Sequence, residues 1–116
     1  MNSHSCTLIL NPDFAVIIFR RESGVTSPVD ENTLPITTEL KTELRTYYRT
    51  FSELYLLGFE KASDTERRLL DADGFKLWLK LRQQLSPQYE VKFYSHFFHD
   101  EFDDPQQFLT CNRVTK

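Results

Sequence analysis

The sequence predicts an α/β (α+β) domain of two layers, in which a small, mainly antiparallel sheet is covered on one face by two main helices. Two segments are rich in the β-branched and aromatic residues typical of strands, Phe14–Phe19 (FAVIIF) and Tyr89–Phe98 (YEVKFYSHFF). Between them, apolar residues recur every three or four positions, the period of an amphipathic helix. The predicted order is therefore β-β-α-α-β, and the length of 116 residues suits a single domain over residues 1–116.

The N-terminal half of the sheet is predicted from three short segments. Phe14–Phe19 is apolar at both alternating sets of positions, which indicates a central strand or a strand with a partner on its second face. Thr7–Leu10 is a short apolar run before it, and the turn formers Asn11–Asp13 separate the two. Gly24–Pro28 predicts a turn and a short edge strand, because Pro28 has no N–H to donate to a central ladder.

The first main helix is predicted over Thr38–Leu57. Thr37 suits the N-cap position, and Glu39 lies in the first turn, where the helix dipole favours an acid. Gly58 suits the position just after the C-terminus. The apolar stripe of this helix consists of Leu40, Leu44, Tyr47, Tyr48, Phe51, Leu54 and Tyr55.

A second helical region follows, and the pattern predicts that it is broken. Ser63–Glu66 is a capping-box pattern that opens a short helix over Asp64–Leu70. Asp71–Gly74 interrupts the pattern, and a second main helix covers Phe75–Leu85. The apolar arc of that helix consists of Phe75, Trp78, Leu79, Leu81 and Leu85.

The C-terminal strand has two distinct faces. Val91, Phe93, Ser95 and Phe97 lie on one face, and Lys92, Tyr94, His96 and Phe98 lie on the other. Residues 104–107 can form one last helical turn with Pro105 in its first position. We expect residues 110–116 to be a frayed tail.

Charge and cysteine content limit the partners and the compartment. The net charge of −3 disfavours a general nucleic-acid binder, which needs a concentrated basic surface. The longest apolar run, Phe14–Phe19, is far shorter than the roughly 20 residues that span a bilayer, and the N-terminal residues lack a signal-peptide pattern. We therefore expect a cytoplasmic protein with no membrane partner. Cys6 and Cys111 are then expected to be reduced thiols, although a disulfide is feasible if the terminal segments pair.

The motifs of catalysis and metal binding are missing from the sequence. In a calcium-binding loop with Gly74 at position six, positions one and twelve would be Leu69 and Lys80, neither of which is acidic. His96, His99 and Asp100 could contribute metal ligands, but no second cluster supplies the rest. There is no GxSxG elbow, and three scattered glycines cannot form a phosphate-binding loop. We expect no enzyme, no cofactor and no metal site.

An acidic segment, Asp100–Asp104, is the most informative charged feature. It has four carboxylates in five residues and follows an aromatic strand end. Such a segment forms either a solubilising loop or an acidic patch with aromatic anchors that binds a basic protein. In the second case the contact residues are Asp100, Glu101, Asp103, Asp104, Phe102, Tyr94 and His96. The basic pair Arg20-Arg21 has acidic neighbours and is interpreted as solvated surface.

The chain resembles small bacterial immunity proteins that neutralise polymorphic or contact-dependent growth-inhibition toxins. The residues that carry the resemblance are Gly24–Val29 (GVTSPV), the tyrosine-rich helix, Asp73–Leu81 (DGFKLWLKL) and Pro87–Val91 (PQYEV), within residues 14–98. The resemblance implies a binding role without a shared catalytic motif, so it assigns no site residue. It also implies a toxin partner, and many such toxins are basic nucleases.

Three functions from different classes follow. The leading hypothesis is a cytoplasmic immunity protein, a stoichiometric and non-catalytic inhibitor that covers the active or substrate-binding site of a cognate toxin domain. The second is a self-associating structural or regulatory module that forms a homodimer through the Phe14–Phe19 sheet face. The third is a small hydrolase or metal-dependent enzyme.

Overall fold

The computed structural model describes residues 6–13, 16–56 and 62–114. The strands are β1 (Cys6–Asp13), β2 (Val16–Glu22), β3 (Val25–Val29), β4 (Tyr89–Ser95) and β5 (Asp100–Phe102). The helices are α1 (Thr38–Leu56), α2 (Asp64–Leu85) and α3 (Pro105–Val114), and a single 3-10 turn covers Glu31–Thr33. This arrangement confirms the mixed α+β class and the two main helices. No helix in these described ranges is long and apolar enough to cross a bilayer.

The strands form one sheet in the order β3-β2-β1-β4-β5. β1 is central, and its parallel pairing with β4 joins the two ends of the chain. The pairings β1–β2, β2–β3 and β4–β5 are antiparallel, so the sheet is mixed but mainly antiparallel, as predicted. β3 is an edge strand, as predicted for the segment that contains Pro28.

The turn predicted at Asn11–Asp13 is wrong, because these residues lie inside β1. The pairing of β1 with β2 is irregular between Leu10 and Asp13, and this break in register accommodates the buried Pro12 within the strand. Phe14 and Ala15, the first two residues of the predicted Phe14–Phe19 strand, lie outside the described residues. From Val16 onward the strand forms as predicted and extends to Glu22.

α1 begins and packs as its sequence pattern predicts. Thr37 is the N-cap, since the backbone N–H of Leu40 donates to the Thr37 hydroxyl oxygen at 3.1 Å. The apolar stripe faces the sheet, and Leu40, Leu44, Tyr47 and Phe51 are all buried. The predicted C-terminal Gly58 lies outside the described residues.

The predicted break at Asp71–Gly74 is wrong: α2 is one continuous helix of 22 residues. Its N-terminal capping box, formed by Ser63 and Glu66, is confirmed. The helix continues through the poor helix formers because Asp71 and Gly74 both face the interior. Packing against β4 and α1 therefore outweighs the local propensity to break.

Gly74 allows α2 to approach its neighbours closely. A Cβ atom there would lie 2.7 Å from Phe93 Cε1 and 2.7 Å from the Tyr47 hydroxyl oxygen. One turn further along α2, the Trp78 ring stacks on Phe93 with centroids 5.4 Å apart. The Trp78 indole N–H also donates to the Val91 carbonyl at 2.8 Å in the interior.

α3 is longer than the single turn predicted at residues 104–107, and it includes residues 110–114 of the predicted frayed tail. Its Phe108 ring is buried and contacts Phe75, Phe93 and Phe102, with centroids 5.1–5.5 Å apart. Cys111 also packs against the core. This aromatic contact anchors a helix that is too short to be stable alone. The Cys6 side chain lies outside the described residues, so its predicted state is untested.

The strand predicted over Tyr89–Phe98 ends at Ser95, and residues 96–99 form a turn into β5. The Asp71 carboxylate holds this turn. It accepts hydrogen bonds from the Ser95 hydroxyl at 2.5 Å, from His96 N–H at 3.0 Å and from Phe97 N–H at 3.4 Å. Burial raises the pKa of Asp71, against the opposing effects of these hydrogen bonds and of nearby His99.

Gly74→Ala is expected to lower the free energy of unfolding by about 1–2 kcal/mol, because the added methyl group overpacks the contact with Phe93 and Tyr47. The control is Ala72→Gly at an exposed position of the same helix, which is expected to cost about 0.5–1 kcal/mol through helix propensity. Urea denaturation measures both. Helix propensity alone predicts that Gly74→Ala stabilises the protein and that Ala72→Gly destabilises it. A Gly74→Ala protein that is more stable than wild type would therefore contradict the close approach of α2 to Phe93 and Tyr47.

Asp71→Asn is expected to lower the free energy of unfolding by about 1–3 kcal/mol, since an amide cannot accept all the hydrogen bonds of the turn. The folded-state pKa of Asp71 is raised, so its protonated form is favoured by folding. The stability that protonated Asp71 contributes is fully present below 3.8, the ordinary pKa of an aspartate. It is lost as pH rises through the raised pKa of Asp71 in the folded state.

The difference in stability between wild type and Asp71→Asn should therefore shrink as pH rises through that window. Denaturation at a series of pH values measures it, with the exposed Asp73→Asn as the control. A difference that grows with pH would show that the carboxylate is stabilised by folding, contrary to its burial.

Candidate partner-binding surface

The sheet has an inner face, packed against α1 and α2, and an outer face that no described helix covers. Residues opposite one another on neighbouring strands share a face. The register therefore places Phe19 and Lys92 beside Ile9, and Glu101 beside Tyr94, on the outer face. Ile9 is only 2% exposed despite this position. The described part of the outer face, around Ile9 and Phe19, therefore combines apolar and charged side chains.

An ion pair crosses this outer face. Arg21 on β2 donates two hydrogen bonds to Glu101 on β5, at 3.0 and 2.6 Å, although β1 and β4 lie between their strands. The hydrogen bonds from Arg21 lower the pKa of the Glu101 carboxyl, so it remains ionised. Arg21 is thus more than solvated surface: with Glu101 it ties the short strand β5 to the far side of the sheet.

Three other carboxylates of the acidic segment are exposed to solvent. Asp100 accepts a hydrogen bond from Glu101 N–H at 2.8 Å, and Asp104 accepts one from Gln106 N–H at 3.0 Å at the start of α3. Asp103 is also exposed. Among the described residues, no Lys, Arg or His nitrogen forms an ion pair with these three carboxylates. Within the described ranges, the segment therefore presents three carboxylates without an ion-pair partner at one edge of the sheet.

The aromatic residues of the predicted contact set occupy different environments. Phe102 is only 6% exposed and packs on Phe108, so its ring lies in the core, and its predicted contact with a partner stays a prediction. Tyr94 is half-buried on the outer face, and its ring lies 5.0 Å from that of His96. His96 also contacts Phe51 in α1, at 5.0 Å between ring centroids.

His96 is a neutral residue at neutral pH. The pKa of His96 is lowered to about 4, chiefly by burial and also by nearby His99, against the opposite effect of Asp13. Burial, Asp100 and Glu101 raise the pKa of Tyr94. Neither group changes its charge near neutral pH, so the charge at this edge is carried by the aspartates and by the Arg21–Glu101 ion pair.

A cleft of about 680 Å³ lies beside the acidic segment, between the C-terminal turns of α2 and the start of β4. Its lining residues are Leu79, Arg82, Gln83, Ser86, Tyr89, Glu90, Val91 and Asp103. Leu79 was predicted to lie in the apolar arc, but it is 41% exposed. Its neighbours at i−3 and i+4, Lys76 and Gln83, are polar, and this signal could have predicted its exposure.

Comparison with known proteins adds one finding. A family model described as Serratia CdiI immunity protein-like matches residues 7–96, which run from β1 to the end of β4. The match ends before the acidic segment. No curated protein and no solved structure matches the chain. Because the matched range covers most of the chain, this protein belongs to the Serratia CdiI immunity protein-like family.

Proposed function

We propose that this protein is an immunity protein that neutralises the cognate toxin of a contact-dependent growth-inhibition system by binding it. Membership of the immunity-protein family is the observation that carries this proposal. The inhibition is stoichiometric and non-catalytic: the protein covers the active or substrate-binding site of the toxin. It acts in the cytoplasm, where it binds a toxin that has entered the cell.

The contact region includes the exposed carboxylates of Asp100, Asp103 and Asp104. A cluster of uncompensated charge raises the rate of encounter with a surface of opposite charge. The toxin surface that meets it is therefore basic, and a nuclease with a phosphate-binding site has such a surface. Covering that site would exclude the nucleic acid.

The other predicted contact residues have supporting roles in this proposal. Tyr94 is partly exposed beside the acidic segment and supplies an aromatic contact. Glu101, held by Arg21, and the neutral ring of His96 fix the surface around it. Phe102 acts from the core, by holding β5 and α3 in place.

The triple substitution Asp100→Asn, Asp103→Asn and Asp104→Asn should slow association with the toxin domain encoded immediately upstream by roughly tenfold at low salt. Asparagine keeps the acceptors that Asp100 and Asp104 use in the fold. The salt dependence of the association rate should also flatten, because screening acts on a smaller charge. Stopped-flow binding at several salt concentrations measures both effects.

A matched control removes the same charge elsewhere, with Glu22→Gln, Glu39→Gln and Glu53→Gln at exposed positions. It should bind at nearly the wild-type rate. Equal slowing in the two variants would show that net charge matters and location does not. Failure of the wild-type protein to co-purify with the toxin domain, together with a concentration-dependent dimer, would favour the self-associating module instead.

A further inference from the structure

The cleft beside α2 adjoins an incomplete strand pairing. β5 pairs with β4 only at Phe93, Tyr94 and Ser95. On that side, Tyr89–Lys92 has no partner strand among the described residues, although its other side pairs with β1. A strand edge of this kind can accept an added strand through main-chain hydrogen bonds. The Trp78 indole N–H donates to the Val91 carbonyl and so holds this part of β4 against α2.

The walls of the cleft suit an extended peptide better than a compact ligand. Leu79 offers an exposed apolar side chain on the α2 side, and the half-buried Tyr89 lies on the strand side. The Arg82 guanidinium donates to the Asp103 carbonyl at 3.2 Å and lies 5.8 Å from the Trp78 ring centroid, so it is held against the wall. The cleft is thus bounded by a helix, a strand edge and a fixed loop.

The charge of the cleft indicates the chemistry of its occupant. Glu90 and Asp103 are both exposed and line the cleft, and Asp104 follows directly. Arg82 is the only cation among the lining residues that the structure describes, and Glu90 and Asp103 are two carboxylates, so negative charge is in excess. The cleft also shares Asp103 with the surface proposed to meet the toxin. A basic segment would therefore complement the cleft and the acidic edge together.

We propose that this cleft takes an extended, basic segment of the cognate toxin domain, which pairs with the open edge of β4 and places an apolar side chain against Leu79. The proposal rests on the proposed function, since it names the site within that same complex. It adds that recognition includes main-chain pairing on the α2 side of the acidic segment. In this proposal the toxin makes its principal contact with the cleft and the acidic edge, and not with the outer face of the sheet.

The other edge of the sheet provides an internal comparison. β3 is a full edge strand of five residues, and four of its five residues are exposed. Its Pro28 has no N–H to donate, which weakens this edge as a template for an added strand. Within the described ranges, no residue of β3 lines the cleft. The toxin segment is therefore expected to pair with the open edge of β4 and not with β3.

Two measurements on the complex with the upstream-encoded toxin domain test the proposal. Leu79→Glu should weaken binding by at least about tenfold, because it places a charge against the apolar contact of the docked segment. Leu69→Glu is the matched control, on the same helix and 62% exposed but outside the cleft, and should change binding by less than about twofold. Hydrogen exchange of the wild-type protein should slow at Tyr89–Val91 on toxin binding and remain unchanged in β3.

The outcomes separate this proposal from the function on which it rests. If the wild-type complex forms but exchange slows only in β3 or on no strand edge, the cleft proposal is wrong and the immunity function stands. Equal effects of the Leu79 and Leu69 substitutions would also overturn it. If no complex forms, both are overturned. The exchange measurement uses the wild-type protein, so the test does not depend on how well Leu79→Glu folds.

Discussion

The close packing of α2 on β4 determines the position of nearly every other part of this protein. Three residues on one face of α2 meet successive inward-facing residues of β4. The Asp71 carboxylate accepts a hydrogen bond from the Ser95 hydroxyl, and Gly74 lies against the Phe93 ring. The Trp78 indole N–H donates to the Val91 carbonyl. The helix thus runs antiparallel to the strand, at a separation that only a glycine permits at its midpoint. This contact fixes the turn at one end of β4 and the walls of the cleft at the other.

The same contact explains why a short C-terminal region is ordered. β5 has only three residues and α3 only ten, and neither is stable as an isolated element. The Asp71 carboxylate shapes the turn before β5, Phe108 packs on Phe93, and Arg21 holds Glu101 across the sheet. These contacts hold Asp100, Asp103 and Asp104 in a defined arrangement at the edge of the sheet. The surface proposed to bind the toxin is therefore preformed, and a preformed surface lowers the entropic cost of binding.

The sequence predicts local features of this structure better than those that depend on distant contacts. The capping box at Ser63, the Thr37 cap and the edge strand at Pro28 follow from local geometry, and all three were predicted. The continuity of α2 was missed because Asp71 and Gly74 look like helix breakers until Ser95 and Phe93 are placed beside them. The salt bridge between Arg21 and Glu101 joins residues 80 positions apart and has no local signal. The same limit applies to the cleft, which exists only once β4 and α2 are packed.

Family membership and the C-terminal edge contribute different parts of the functional account. The family match covers β1 to β4, the part of the chain that forms most of the sheet and both main helices. The acidic segment and α3 lie beyond it, so their proposed role depends on exposure and charge alone. In this account the matched part is a rigid support that presents the acidic edge and the adjoining cleft. Under the two proposals above, charge and main-chain pairing at neighbouring positions then select the toxin partner.

The proposed function requires that this protein inhibits a toxin by binding it, molecule for molecule. The most direct measurement is a titration of the activity of the upstream-encoded toxin domain with increasing amounts of the purified protein. We expect activity to fall linearly and to reach its end point at one equivalent, and to return when the toxin is recovered from the complex by denaturation and refolding. Lasting loss of activity at a small fraction of an equivalent would indicate catalytic inactivation, and unchanged activity at excess would contradict inhibition altogether.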